Sequence, residues 1–406
     1  MKNEKLITKS PFLIALILFT FHFSVFTIDA QIAIKGETVW TMAGEPITNG
    51  VVLVNNGKVE AVGPAASVNI PTNYRVISAR VVTPGLIDAH SVIGLNGYLN
   101  QPHDQMGLDG SSTIQPELRA IDAYNAEEKL IEWVRSFGVT TIHTGHQPSA
   151  LVSGQTMIAK TTGKNVDAAT IVPTAMIAVT LGQDALAGAG KSPGTRAKQV
   201  AMLRAELIKA LENSKKSDMP KDLKSEIMIK VIKREIPLLI TANKSQDIIS
   251  ALRLANEFNI RIVLDGVAEA HMLISEIKAS GFAVIVHPTM ARAGGDTESL
   301  SLTTASKLKA AGIPVALQSG YEGYVPKTRV VLFEAAMAAA NGLSKSDALA
   351  LITIDAAKIL GIEKKVGSLE KGKDADIAMY DGDPFEFTSH CTGTIINGVV
   401  VSEIIR

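Results

Sequence analysis

This chain of 406 residues holds a single cysteine, Cys391, so it cannot close a disulfide on itself. Stability has to come from a packed core. A lone thiol with no base near it in sequence reads as core filler. Charge of either sign is also missing as an excess: 40 basic and 40 acidic residues give a formal net charge of +0. With no basic stripe and no acidic tail, the composition carries no electrostatic footprint of a nucleic-acid partner, and no recognition motif for one is present. Internal repeats and low-complexity tracts are absent too, which excludes solenoids. What remains is ordinary globular material, 46% hydrophobic and 20% charged. That is enough for one large domain and a smaller one.

The first thirty residues have a different character. Lys2, Lys5 and Lys9 precede an apolar run over residues 12–26, and Ala30 offers a small residue just before Gln31. This is the pattern of a secretory signal peptide. A retained anchor is the competing reading, but the run falls short of the roughly 20 residues needed to span a bilayer. It is also interrupted by His22 and Ser24. The expectation is cleavage near Ala30 and export to the periplasm or beyond, with no membrane association afterwards. No cysteine follows, so a lipid anchor is not expected.

Residues 31–80 read as short strands punctuated by turns, with Asn55-Asn56-Gly57 between apolar runs giving a strong hairpin signal. The tail has the same texture around Asn397-Gly398. Two β-rich pieces at opposite ends of the chain are therefore expected to share one small domain, with a larger domain inserted between them. In the middle, strand-like segments at 139–143, 171–180, 237–241, 260–265, 282–286 and 314–317 alternate with helical patterns. The helical patterns fall at 197–211, 223–232, 246–258, 268–280, 302–311, 327–341 and 345–360. Strands alternating with helices of this length imply parallel βα units, and their number fits an eight-stranded barrel.

One stretch organises the rest. In Val81-Val82-Thr83-Pro84-Gly85-Leu86-Ile87-Asp88-Ala89-His90-Ser91-Val92, Pro and Gly forbid a helix. A buried strand that presents polar groups at its C-terminal end is the economical reading, and in parallel barrels that end hosts the chemistry. Residues 84–90 resemble the first-strand signature of the metal-dependent amidohydrolases, Pro-Gly-Leu-Ile-Asp-x-His-x-His. Residues 353–361 and 367–386 are similar to that family's C-terminal signature, in the branch of imidazolonepropionase- and prolidase-like enzymes. The resemblance covers nearly the whole chain after residue 30. It implies a (β/α)8 TIM-like barrel over residues 84–365. A composite β-sandwich domain would be formed by residues 31–83 and 366–406.

The family binds one or two divalent metals, Zn or Mn among them, at the barrel mouth. Its ligands are two histidines from strand one, one each from strands five and six, and an aspartate from strand eight. Such metals need several imidazole or carboxylate ligands converging on one point, with a position left open for water. Carried over residue by residue, the set is incomplete. His90 stands, but Val92 occupies the second histidine position, Thr241 and Asp265 the strand-five and strand-six positions, and Gly320 that of the aspartate.

Other histidines are expected around the mouth. His143 and His146 end strand two, His287 ends strand seven, and His103 lies in the loop after strand one. His90, Asp265 and His287 are the candidate catalytic residues, with Asp265 the candidate base. His90, His143 and His146 form the candidate relocated metal set. His103, Tyr321 and Glu322 are the candidate substrate contacts. Asp88 is assigned a structural role.

The function implied by the resemblance is an exported hydrolase of cyclic-amide or dipeptide C–N bonds, acting on a small molecule through activated water. The alternative is a non-catalytic binding or partner subunit that keeps the barrel, as a homo- or hetero-oligomer.

Overall fold

The first and last strands of the chain belong to one sheet. β1 (Ile32–Val39), β2 (Ile47–Asn55), β3 (Lys58–Pro64) and β4 (Arg75–Pro84) come from the N-terminal part. The computed structural model describes residues 31–99, 101–188, 190–218, 221–321 and 330–406. Ten further strands follow β4: β5 (Leu86–Ser91), β6 (Val139–Thr144), β7 (Val152–Gln155), β8 (Met157–Lys160), β9 (Thr170–Val172), β10 (Ile177–Leu181), β11 (Leu238–Ala242), β12 (Ile262–Gly266), β13 (Ala283–Val286) and β14 (Val315–Leu317). The tail adds β15 (Ile377–Tyr380), β16 (Cys391–Ile396) and β17 (Val399–Ser402).

The end sheet runs β17-β16-β15-β4-β1-β2-β3. β4 is its centre, parallel to β1 and antiparallel to β15, so both chain ends meet on one strand. Ile32, Ile34, Val52, Val54, Val82, Ile377, Met379 and Ile395 pack on one face of it. Ala33, Val51, Leu53 and Tyr74 cluster on their own. Both Asn-Gly signals are tight hairpin turns, with Asn56 and Gly57 at φ +50° and +73° and Asn397 and Gly398 at +49° and +75°. The two turns abut: a Cβ on Gly398 would lie 2.9 Å from the Gly57 Cα. Cys391 is buried in β16.

The remaining strands form two sheets, β14-β13-β12-β11-β10-β7 and β5-β6-β8-β9. β10 to β14 are all parallel, as are β5 and β6. A parallel bridge between Ser91 and Gly320 joins the end of β5 to the residues after β14, giving a barrel-like α/β arrangement. Helices return the chain between strands. Ser245–Phe258 shows why the pattern reads as helix: Ile248, Ala251, Leu252 and Ala255 recur at helical spacing and are among the residues it buries.

Several elements differ from the sequence expectation. The run 152–160, read as loop, holds β7 and β8, and these pair antiparallel with β10 and β6. The expected strand 171–180 is divided into β9 and β10 around Pro173, whose missing N–H interrupts a ladder. The expected helix 345–360 is two, Lys345–Leu351 and Ile354–Leu360. Thr353 breaks it, at φ −139° and ψ −101°, with its hydroxyl donating to the Leu349 carbonyl at 2.6 Å. The helix expected over 268–280 is shortened to Ile274–Ser280 behind a 3-10 turn. Among the described residues no helix is long and apolar enough to cross a membrane, and the 12–26 run lies outside them.

The two parts are clamped together by Lys160, at the end of β8. Its buried ammonium donates to Asp374 Oδ2 at 2.8 Å, Asp376 Oδ2 at 2.7 Å and Asn397 Oδ1 at 2.8 Å. All three partners lie in the tail that builds the end sheet.

Candidate functional site

Side chains alternate across a strand, so the inward-facing set can be read off each one. Ile87, Ala89, Ile158, Leu239, Val263, Ile285 and Ala316 pack together with Ala356, Ala357 and Leu360 of the Ile354–Leu360 helix, which plugs the N-terminal end. Two residues further along β11 and β12 the same face carries Thr241 and Asp265, and Gln318 and His287 stand just past β14 and β13. Apolar packing gives way there to a polar layer. On β5 the register with β6 shifts between Asp88 and Ser91. This bulge re-aims the strand end and brings His90 to the layer.

The centre of the layer is Asp265. Its Oδ1 lies 3.0 Å from His90 Nδ1 and accepts from Gln318 Nε2 at 2.9 Å, while Oδ2 accepts from Thr241 Oγ1 at 2.6 Å. Burial alone would push its carboxyl up, but the His90 charge and these three donors hold it below the ordinary value. His90 mirrors this. Burial works to lower the imidazole, and the Asp265 charge and hydrogen bond, with help from Asp88, raise it above the ordinary value. Each partner thus favours the charged form of the other. His90 Nε2 is buried and has no hydrogen-bond partner among the described residues. The rings of His143 and Tyr321 each stand 5.8 Å from the His90 ring.

His143 is neutral by contrast. Burial, and then the neighbouring His90 charge, push it down to about 3. Its Nδ1–H donates to the Ala89 carbonyl at 2.7 Å, and Nε2 accepts from Thr156 Oγ1 at 2.7 Å. Asp88 ties β5 to the residues after β14, accepting from Ser319 N at 3.1 Å and Ser319 Oγ at 2.5 Å. Burial pushes its carboxyl up to about 6 in spite of those bonds.

The other candidates are placed apart from this cluster or at its edge. His287 donates from Nδ1 to the Pro288 carbonyl at 2.8 Å, and its Nε2 is buried with no partner among the described residues. Burial lowers its pKa, and the charge it feels is that of His271 rather than His90. His146 packs against Gly154, with the Leu118 carbonyl beside it, and burial lowers its pKa as well. His103 stands on the exposed turn Pro102–Asp104. Tyr321 flanks His90, and Glu322 lies outside the described residues. Val92 is fully buried core.

These donors do not fit a divalent ion of the family kind. Among the described residues no three of His, Cys, Asp and Glu are placed to share one. Both Asp265 oxygens already accept from protein donors, and His143 Nε2 is occupied by Thr156.

Sequence reasoning missed Thr156, Gln318 and Ser319. Gln318 had a signal, since it stands two residues after an inward-facing alanine in an apolar strand. Thr156 had none, because the segment carrying it reads as loop.

The amidohydrolase family model matches residues 95–402. The imidazolonepropionase of Rhizorhabdus wittichii is 24% identical over 378 residues, covering 84% of this chain and 91% of that protein. The crystal structure of an amidohydrolase from Thermotoga maritima MSB8 superposes with a TM-score of 0.86 at 27% identity, over 92% of this chain and all of that one (100%). A prolidase complexed with N-methylphosphonate-L-proline matches with a TM-score of 0.59 and 15% identity, covering 92% of this chain and 100% of its own, a likeness of fold.

Proposed function

We propose, from the premise that this chain belongs to the amidohydrolase family, that it hydrolyses a C–N bond of a small cyclic amide or dipeptide without the family's metal. In this reading its two sheets form one closed eight-stranded barrel, with the β7–β8 segment as the third strand. The observation that carries the proposal is the His90–Asp265 pair, in which Nδ1 is held by a carboxylate and Nε2 is buried with no partner. An imidazolium so fixed offers its Nε2–H to the oxygen of a scissile carbonyl. It would stabilise the negative charge that develops there when water attacks. Asp265, with its oxygens filled and its pKa lowered, serves as counter-ion and orienter of His90. The proton acceptor for the attacking water is His287, kept neutral by burial and carrying a free lone pair at Nε2.

The test is a panel of cyclic amides and Xaa-Pro dipeptides, hydrolysed by protein stripped with chelator. Turnover is expected without added metal, and His90→Gln should reduce kcat by about 10²-fold or more. The profile should be a plateau spanning the ordinary histidine value of about 6.5, falling on the acid side as His287 protonates and on the alkaline side as His90 loses its proton. Activity that appears only on adding zinc or manganese would sink the metal-free mechanism.

A second reading, a non-catalytic binding or partner subunit, is favoured by one observation: Thr241, Gln318 and His90 saturate Asp265. A panel with no turnover under any condition selects it. We also propose export, supported by the basic and apolar pattern of residues 1–30. Protein recovered from outside the cytoplasm should have a mass that begins at Gln31. A mass that includes Met1 excludes cleavage.

A further inference from the structure

The N-terminal ends of the parallel strands, on the face opposite His90, surround a cleft of about 530 Å³. Arg234, Arg261 and Lys358 line it together with Ser280 and Phe282, and no carboxylate is among its walls. Neither guanidinium forms an ion pair among the described residues. Arg234 Nη1 is braced by Asn259, donating to its carbonyl at 2.9 Å and its Oδ1 at 2.5 Å. Arg261 Nη1 is braced in turn by the Arg234 carbonyl at 3.3 Å. Lys358 has one loose acidic neighbour, Asp355 at 3.7 Å, whose closer partner is Lys309 at 2.5 Å. Each planar fork is thus held through one nitrogen, Nη1, with its remaining N–H donors left for a ligand, and an ammonium stands across the same cleft. Guanidinium forks bind carboxylate and phosphate oxygens in pairs.

The backbone adds an independent sign. Arg234 follows the Leu223–Ile232 helix at the position where the chain turns left-handed, with φ +62°. Its N–H bonds the Val231 carbonyl at 2.9 Å, and the next N–H reaches back to Lys230 at 2.9 Å. Glycine suits such a site best, since a Cβ there is strained. An arginine at that position costs stability and gains a basic side chain lining the cleft.

We propose that this cleft binds a small oxyanion of charge −2 or more, phosphate- or polycarboxylate-bearing, with its apolar part against Phe282. Titration calorimetry of the full chain at low ionic strength, with pyrophosphate in one arm and citrate in the other, tests it. One-to-one binding of at least one anion is expected, and the stronger arm identifies which oxyanion the cleft prefers. Arg261→Gln and Arg234→Gly should each weaken it by about tenfold or more. Arg234→Gly also relieves the backbone, so its thermal midpoint without ligand should be equal to or above that of the unmodified chain, which separates lost binding from lost folding. No binding of either anion overturns the proposal. So does binding by folded Arg261→Gln or Arg234→Gly within twofold of the unmodified protein.

Discussion

Asp265 accepts from three donors at once, and that single residue governs the charge state of everything around it. Replacing it with asparagine leaves the burial of His90 opposed only by the weaker pull of Asp88. In Asp265→Asn the His90 pKa should drop below about 6.5, as read by imidazole NMR titration, and any turnover should fall by about 10²-fold or more. A His90 pKa that stays raised would show that another group holds the proton. Asp88 behaves in the opposite sense. Its folded value of about 6 lies above the ordinary ~3.9, so its ionised form costs stability above that pH. Asp88's own contribution should therefore rise as pH falls from about 6 to about 4, at up to ~1.4 kcal/mol per pH unit, against the opposite slope of the buried histidines His143, His146 and His287, whose folded values lie below the ordinary one. Asp265 is shifted below its ordinary value and His90 above its own, so of the trio Asp88 is the one moved into that window. The pair's own contribution is lost outside the window, as Asp265 protonates at lower pH and as His90 deprotonates at higher pH. In urea melts across the window, the stability difference between Asp88→Asn and the unmodified chain should change with pH by that amount, and a constant difference would refute the assignment. At this scale the sequence disclosed His90 as the survivor of a motif and Asp265 as a replacement within it. It could not disclose that they touch, because 175 positions separate them.

Elements were legible where local chemistry sets them alone. Both Asn-Gly hairpins and the Ser245–Phe258 helix follow from turn residues and apolar spacing, which need no distant partner. The segment 152–160 was not legible. Val152–Gln155 and Met157–Lys160 are four-residue strands whose burial is complete on both faces, so no alternation marks them. The division at Thr353 was equally hidden, since a hydroxyl that bonds a backbone carbonyl leaves no periodic trace. β8 nonetheless carries two decisive side chains, Thr156 just before it and Lys160 at its end. Lys160→Met should destabilise the protein by about 3–5 kcal/mol, because buried Asp376 would remain without its cation and half-buried Asp374 would keep only Lys58. Denaturant melts measure the loss. Adding Asp374→Asn and Asp376→Asn to it should recover much of the difference, and no recovery would mean that packing of the lysine stem dominates.

At the scale of the whole molecule, the parallel strands place one polar layer at their C-terminal ends and one basic cleft at their N-terminal ends. The end sheet takes strands from both ends of the chain. That last arrangement bears on synthesis. Val82, on the central strand of the end sheet, pairs with Met379, so β4 lacks one neighbour until almost the entire polypeptide has left the ribosome. Pairings this distant in sequence form slowly, since the loop must close before the contact rewards it. A nascent chain that cannot finish its first sheet remains open to unfolded handling by chaperones and translocases. For a protein proposed to cross a membrane before it matures, delayed completion of the fold is an advantage, and any truncation of the tail would leave the first eighty residues without their partner strand.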